Sequence, residues 1–383
     1  MNKIKVSDLK EGYTFTSNVY IDEKLQSMLV PANLNLKSKE IERIKNWGIE
    51  EVYTEGEIVD PDKAEKSKAG DVDDAADSKF FSSYAAMIEV FSGIVSGLKK
   101  GKKPEVDTIN KLANQIIDIV SGAEDIKDIH ELIGYISKSD KLGEKYAVSG
   151  INCAFLSILV GMELGLTAIR LQHLAVASLL HDIGMLKIPE RITDKNGQLT
   201  PDELNIVRMH SAVSYQVVIK NFGFPETIAR IVLQHHERWD GKGYPNGLAG
   251  DQINLLSRII AVTDSFEAMN RAKSYRSSMI GYAAMKQILN ENSKKYDASI
   301  VKLFIKVLGI YPPGSFVILN DTSIGKVVKV KKIAPLRPVI KLLIDSSGNK
   351  CEDSNIEIDL VTNTRLFIVK VIDLSELEGK LEG

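Results

Sequence analysis

The feature that most constrains the fold is a long run of helical spacing from residue 80 to about residue 312. Apolar side chains recur with this spacing in Phe80–Leu98 and again in Val106–Val120, with a break at Lys99–Pro104 between them. The pattern predicts further helices over 127–138, 143–163, 167–182, 201–221, 224–236, 254–269, 278–290 and 296–307. Strand signals are absent from this stretch, so the chain is predicted to be mainly α, with a helical bundle at its centre.

A small α/β domain is predicted for residues 1–56. Strand-like segments lie at Tyr13–Tyr20, Met28–Val30 and Glu51–Thr54, and a helix is predicted between the last two. This part contains no histidine, no cysteine and no glycine-rich phosphate loop. A sensory, docking or dimerising role and a simple packing role both stay open for it.

The composition changes on either side of the helices. Residues 57–79 are charged and nearly free of large apolar side chains, which predicts a flexible linker. After Pro312-Pro313-Gly314 the apolar pattern switches to period two, which predicts a small β-rich module over 313–383. Between the linker and the β-rich module, the sequence predicts a helical arm over residues 80–130 and a central helical domain over residues 131–312.

Charge and cysteine content exclude several classes of protein. Lys and Arg number 49 and Asp and Glu 51, a net charge of -2, which argues against a nucleic-acid binder but leaves room for a local basic patch. Cys153 and Cys351 cannot form a disulfide framework, which fits a reducing compartment. The apolar stretch Cys153–Val160 is too short to span a membrane, and the N-terminus lacks a signal-peptide region. The sequence predicts a cytoplasmic protein without nucleic-acid or membrane partners.

Imidazole and carboxylate groups are concentrated in four short motifs on or near predicted helices. These motifs are His181-Asp182, His210, His235-His236 and Asp264. A carboxylate can bridge two metal ions beside an imidazole, and a set without thiolates favours iron, manganese, zinc or a similar ion. A carboxylate inside an apolar helix, such as Asp264, is costly unless it is paired or metal-bound. An ion pair with Arg271 or Arg276 is the alternative for Asp264.

Two of these motifs carry a family resemblance. His181-Asp182-Ile183-Gly184 and the run HHERWDGKGYP at residues 235–245 resemble the HD-GYP domain, and the resemblance extends over about 131–312. It implies an HD-type helical bundle with metal-dependent phosphohydrolase activity toward the bacterial second messenger cyclic di-GMP. Residues 1–55 resemble the small domain that often precedes HD-GYP domains, and 313–344 resemble a β-rich tail that follows some of them.

The resemblance also implies a site with two divalent metal ions, iron or manganese. The implied metal ligands are His181, Asp182, His210, His235, His236 and Asp264. Among them, His181 and Asp182 are the implied catalytic residues, with Asp182 bridging the ions. The implied substrate-binding residues are Gly243, Tyr244, Pro245, Arg271 and Arg276. For the two arginines a structural ion pair stays open, and for Trp239 packing is favoured over stacking on guanine.

Two positions depart from the family pattern. A ligating histidine is replaced by Ser149, and a lysine that helps to hold the substrate phosphate is replaced by Met185. Lys145 stands where members with a third ion carry a glutamate, so a third ion is not expected. Lys187 could supply the lost phosphate contact, but on a helix it would point to a different face from Met185.

The predicted function is hydrolysis of cyclic di-GMP to pGpG, GMP or both, which lowers the level of the messenger. One alternative is an impaired HD-GYP domain that binds cyclic di-GMP or a partner protein without turnover, and another is hydrolysis of a different nucleotide. A homodimer through the helices of 80–120 is predicted because an isolated two-helix arm would expose its apolar faces. Signalling proteins are predicted as further partners.

Overall fold

The structure, a computed structural model, describes residues 79–122, 143–195, 197–271, 279–351, 356–372 and 376–377, together with short stretches between residues 2 and 59. The chain divides into two compact units, Met1–Ser83 and Tyr84–Gly383. Most of the predicted linker, the predicted helix 127–138 and Arg276 lie outside the described residues.

The N-terminal unit contains short antiparallel strands, in agreement with the predicted α/β character. The strands are β1 (Asn2–Lys5), β2 (Thr14–Phe15), β3 (Val19–Tyr20), β4 (Met28–Val30), β5 (Glu51–Thr54) and β6 (Ile58–Val59). Four of them form a sheet in the order β1-β5-β3-β4, and β2 pairs with β6. Ile41 and Ile44 are helical and buried against Phe15, Val19 and Val52, so they complete a small apolar core.

Helices make up most of the second unit, in agreement with the predicted fold class. They are α1 (Lys79–Lys99), α2 (Val106–Gly122), α3 (Lys145–Glu163), α4 (Ala168–Leu180), α5 (Glu190–Thr193), α6 (Pro201–Arg208), α7 (His210–Lys220), α8 (Glu226–Leu233), α9 (Leu255–Arg271), α10 (Met279–Asn290) and α11 (Ala298–Leu308). The single helix predicted over 201–221 is divided at Met209 into α6 and α7.

Helix α3 is the central helix of this unit. Every residue from Ala147 to Gly161 is buried, and α3 packs against α2, α4, α9 and α11. By length and composition α3 could span a membrane, but 83% of its most apolar window is buried inside the molecule. Its apolar side chains therefore form the core of the bundle.

The helices predicted as an arm pack into the same bundle. In α1, Tyr84, Ile88 and Phe91 are fully buried, and the Tyr84 ring lies 5.9 Å from the ring of Phe155 in α3. Helix α2 packs against α3 and α4. Because these apolar faces are covered within one chain, the reason given for a dimer through 80–120 does not hold.

The C-terminal part of this unit is the predicted β-rich module. Its strands are β7 (Phe316–Leu319), β8 (Ile324–Lys329), β9 (Val339–Ile344), β10 (Glu357–Asp359) and β11 (Ile368–Ile372). They form one antiparallel sheet in the order β10-β9-β8-β7-β11. Alternate side chains such as Val317, Val327 and Ile340 form its core, as the period-two pattern requires.

Candidate metal centre

The six predicted metal ligands meet at the ends of three helices and inside a fourth. His181 and Asp182 follow α4, His210 begins α7 after the break at Met209, and His235 and His236 follow α8. Asp264 lies in the middle of α9. The ligand atoms fall into two groups, each within 4.8 Å: one contains Asp182, His210, His235 and His236, and the other His181, Asp182 and Asp264.

Three of the imidazoles are oriented by the carbonyl of the residue three positions earlier. In His181, Nδ1 lies 2.7 Å from the carbonyl oxygen of Ser178. In His210 it lies 2.7 Å from the carbonyl oxygen of Val207, and in His235 it lies 2.5 Å from that of Val232. A carbonyl oxygen only accepts, so each Nδ1 carries the proton and donates it. Each Nε2 is therefore the atom presented to the centre, the arrangement typical of metal-bound histidine.

The Nε2 atoms of these histidines lie in surroundings that favour a bound cation. His181 Nε2 is buried and has no hydrogen-bond partner among the described residues. His210 Nε2 and His235 Nε2 are 3.3 Å apart, and in neutral rings with protonated Nδ1 both atoms carry lone pairs. Two facing lone pairs repel each other unless a positive charge lies beside them, so this donor set fits a metal ion.

The carboxylate of Asp182 faces both groups of ligands. Its Oδ1 lies 3.3 Å from His210 Nε2 and 3.9 Å from His235 Nε2, whereas its Oδ2 lies 3.6 Å from His181 Nε2. On the far side, His181 Nε2 is 3.4 Å from Asp264 Oδ1. The two oxygens of one carboxylate thus point to two neighbouring positions, which is the geometry needed for a bridging ligand.

The pKa values reflect a buried site with two acidic groups. Burial lowers the pKa of His236 to about 4, and burial together with the adjacent imidazoles lowers the pKa of His235 well below its usual range. Burial also acts to lower the pKa of His181, but Asp182 and Asp264 outweigh it and raise this pKa to about 9. Burial acts to raise the pKa of Asp264, yet His181 holds it at about 2. A proton on His181 and a divalent cation would therefore compete for the same two carboxylates.

The predicted substrate-binding loop lies beside this centre. The Tyr244 ring is 4.8 Å from the ring of His236 and inclined to it by 33°. Gly243 packs against the preceding backbone, where an added Cβ would lie 2.5 Å from Glu237 Cα. Tyr244 and Pro245 are joined by a cis peptide bond. Tyr244 is thus the member of this tripeptide placed against the ligands, while Gly243 allows the loop to pass close to its own beginning.

Glu237 anchors the loop, a role that the sequence reasoning missed. Its buried carboxylate accepts hydrogen bonds from the backbone N–H groups of Asn246, at 2.7 Å, and Leu248, at 3.0 Å. A glutamate directly after two helix-terminal histidines and before a glycine-rich loop was the available signal. The Glu237 carboxylate fixes the loop because buried backbone donors need acceptors.

The structure also locates three further residues from the sequence analysis: Trp239, Arg271 and Asp264. The Arg258 guanidinium lies 5.1 Å from the centre of the Trp239 ring, and the Trp239 backbone bonds to Lys295 and Gly250, so this residue packs within the protein. Arg271 is the last residue of α9. Asp264 lies against His181, which is the arrangement expected of a metal ligand.

Ser149, at the position of the missing histidine, is buried and hydrogen-bonded. Its hydroxyl donates to Glu267 Oε2 at 2.9 Å, and Asn152 donates to the other carboxylate oxygen at 3.3 Å. The Tyr84 hydroxyl donates in turn to Asn152. Glu267 is buried and lies one helical turn after Asp264 in α9. Ser149 therefore binds the helix that carries a proposed ligand without offering a metal ligand of its own.

Met185 lies in the short 3-10 helix that follows Asp182 and lines a cavity. It is half-buried and, with Lys145 and Lys187, lines a cavity of about 400 Å³ that none of the six clustered residues lines. Among the cavity-lining residues, Lys187 is exposed at the end of the short 3-10 helix that follows Asp182. Neither Tyr244 nor the clustered histidines line this cavity with the two lysines.

We expect Ser149→His to increase metal binding. The new ring can donate one N–H to Glu267, as the serine hydroxyl does, and present its other nitrogen toward the centre, which is a common support for a ligating histidine. The apparent affinity should tighten by about tenfold or more in a metal titration of the chelated protein. The gain in turnover should be greatest at low metal and disappear at saturation.

Ser149→Ala is the matched control for this gain. It removes the donor to a buried carboxylate and adds no ligand, so it should leave metal affinity no tighter and lower the free energy of unfolding by about 1–3 kcal/mol. A Ser149→His protein that binds metal no more tightly than the parent would show that this position does not limit occupancy.

The chain is similar to known proteins over most of its length. Residues 143–300 match the family model of the HD domain, and residues 316–380 match that of the KOW domain associated with HD domain. Cyclic di-GMP phosphodiesterase PdeB of Borreliella burgdorferi is 27% identical over 363 residues, which span 94% of this chain and 93% of that protein. Cyclic di-GMP phosphodiesterase PA4108 of Pseudomonas aeruginosa is 30% identical over 63% of this chain and 57% of its own length. The 3'3'-cGAMP-specific phosphodiesterase 3 of Vibrio cholerae is 44% identical over a shorter segment, 27% of this chain and 22% of that protein.

Proposed function

The chain belongs to the HD-GYP family of HD-domain phosphohydrolases, and on that premise we propose that it is a metal-dependent phosphodiesterase that hydrolyses cyclic di-GMP and so lowers the level of this messenger. The observation that carries the proposal is the Asp182 carboxylate, whose two oxygens face two groups of ligand atoms. Relatives named for the same activity match most of this chain, which supports the choice of substrate.

Two divalent ions, iron or manganese, are proposed for these two groups. His210, His235, His236 and Asp182 would hold one, and His181, Asp182 and Asp264 the other. Such ions supply Lewis-acid activation of water and of phosphoryl oxygens in phosphodiester hydrolysis. Nitrogen and oxygen donors without thiolate suit iron and manganese.

The residues of the chain have distinct roles in this proposal. The carbonyl groups behind His181, His210 and His235 hold the rings in the tautomer that can bind a cation. Asp182 and its neighbour His181 are the proposed catalytic residues, because Asp182 belongs to both groups of ligands and His181 lies beside it in one of them. Tyr244 shapes the substrate side through its contact with His236, and Gly243 and Pro245 set the path of its loop. Arg271 and Arg276 remain proposed phosphate contacts.

One observation favours an impaired domain as the second candidate. The group around His181 has three residues, one fewer than the other group, and Ser149 at the position of the missing imidazole is hydrogen-bonded to Glu267. A weakly held ion there would leave a protein that binds the dinucleotide but turns it over slowly.

The test is turnover by the purified full chain. We expect hydrolysis of cyclic di-GMP with added manganese or ferrous iron, loss of activity with chelator, and a phosphate-bearing product, pGpG or GMP, identified by mass. Comparing 3'3'-cGAMP in the same assay measures substrate preference. Tight binding of cyclic di-GMP without turnover at saturating metal would favour the second candidate, and neither binding nor turnover would contradict both.

Location and partners are further parts of the proposal. Cys153 in the core and the half-buried Cys351 are not joined in a disulfide, which fits a cytoplasmic protein. The N-terminal domain, 1–56, is the proposed docking unit for signalling partners. A dimer through 80–120 would have to use the exposed sides of α1 and α2, since their apolar faces are covered within the chain.

A further inference from the structure

Arg208 lies at the edge of the metal centre, on the substrate side. It is the last residue of α6 and is exposed, and its guanidinium carbon lies 5.6 Å from the centre of the Tyr244 ring. The Tyr244 ring in turn lies 4.8 Å from the ring of His236 and 6.4 Å from that of His210. One aromatic ring therefore separates this guanidinium from two of the proposed ligands.

The charge of Arg208 is not used in a salt bridge among the described residues. Two other arginines among the described side chains have carboxylate partners: Arg238 lies 2.9 Å from Asp240 and Arg258 lies 3.2 Å from Asp297. Lys295, the cation on the Asp264 side, donates to Ser265 Oγ at 3.3 Å. Arg208 is thus a cation beside the site whose hydrogen-bonding fork is directed to no carboxylate in the described part of the chain.

A cyclic dinucleotide carries two phosphodiester groups, and the described site offers them few cations. Met185 is uncharged, and Lys145 and Lys187 line the cavity described above, which none of the six proposed ligands lines. The guanidinium of Arg208 is planar and always charged, and it binds phosphate oxygens through two parallel N–H groups. We infer that Arg208 binds a phosphate group of the cyclic dinucleotide, an inference that rests on the proposed function.

The local fold makes this residue easy to test. Helix α6 has no buried residue and is held at its first turn by a capping box between Thr200 and Glu203, far along the helix from Arg208. Replacement of Arg208 by methionine keeps an unbranched apolar side chain and removes the charged guanidinium, so the fold and the metal ligands should not change. Arg208→Lys restores the charge without the planar fork.

The experiment measures cyclic di-GMP hydrolysis and binding with the manganese-loaded full chain. Arg208→Met should raise KM about tenfold to a hundredfold, with kcat within about threefold of the parent and an unchanged manganese content. Added NaCl should raise KM less steeply in Arg208→Met than in the parent, because one screened charge pair has been removed. Arg208→Lys should recover part of the loss.

Arg230→Met is the matched control, since Arg230 is exposed, pairs with Glu226 at 3.0 Å and lies on α8 outside the site. Its KM and salt dependence should equal those of the parent. An Arg208→Met protein with the KM and salt dependence of the parent would overturn the inference while leaving the proposed function in place. A parent that neither binds cyclic di-GMP in equilibrium dialysis nor hydrolyses it would overturn the proposed function and the inference with it.

Discussion

Asp182→Asn should lower the turnover of cyclic di-GMP by about 10³-fold or more and reduce the metal content of the protein. Among the described residues, Asp182 alone belongs to both groups of ligand atoms. Asparagine keeps the shape but offers one acceptor oxygen, no charge and an amide group that cannot bridge. Losing several kcal/mol of charge stabilisation corresponds to a rate loss of this order. Metal analysis and a turnover assay measure the two effects.

Two substitutions of the same type serve as controls. Asp264→Asn affects one group of ligands, so the ion held by His210, His235 and His236 should remain and the loss should be smaller. Asp240→Asn breaks an ion pair with Arg238 outside both groups and should leave the metal content unchanged. An Asp182→Asn protein that keeps two ions per chain and a tenth of the parental turnover would contradict the bridging role.

Gly184→Ala should destabilise the protein and weaken its metal binding. A Cβ at Gly184 would lie 2.6 Å from the backbone nitrogen of Ser214, and closer still to the carbonyl oxygen of His210. These are backbone atoms of α7 and cannot rotate away, so His210 or Asp182 must move. We expect a loss of about 3 kcal/mol in the free energy of unfolding and a fall in Tm of roughly 5–10 °C, together with weaker metal binding.

Gly93→Ala is the control for Gly184→Ala. Gly93 lies in α1, and an added Cβ would meet no atom of the described residues within 4 Å. Alanine is the better helix former, so this change should be neutral or stabilise the protein by about 0.5–1 kcal/mol. Equal Tm values for Gly184→Ala and the parent would show that the 3-10 helix after Asp182 can move away from α7 at little cost.

The helices and the types of ligand could be predicted from the sequence because both are local properties. Helical spacing in α3, α9 and α11 reports the face that each helix buries, and the predicted limits agree with the observed ones within about two residues. Imidazoles and carboxylates at helix ends also form short motifs. Met209 escaped prediction because nothing in its side chain stops a helix, and the division into α6 and α7 is needed to present His210 at the start of a helix.

The tertiary structure decided how distant residues combine. The bridging position of Asp182, the hydrogen bond of Ser149 to Glu267 and the support of the loop by Glu237 all join segments far apart in the chain, and sequence spacing does not report such distances. The same holds for α1 and α2, whose amphipathic pattern fitted a dimer and a bundle equally well until Tyr84 and Phe91 were seen buried in their own chain. The sequence by itself therefore determined the chemistry that the centre can perform. Long-range packing decided which side chains face one another at the centre, such as Arg208 beside Tyr244.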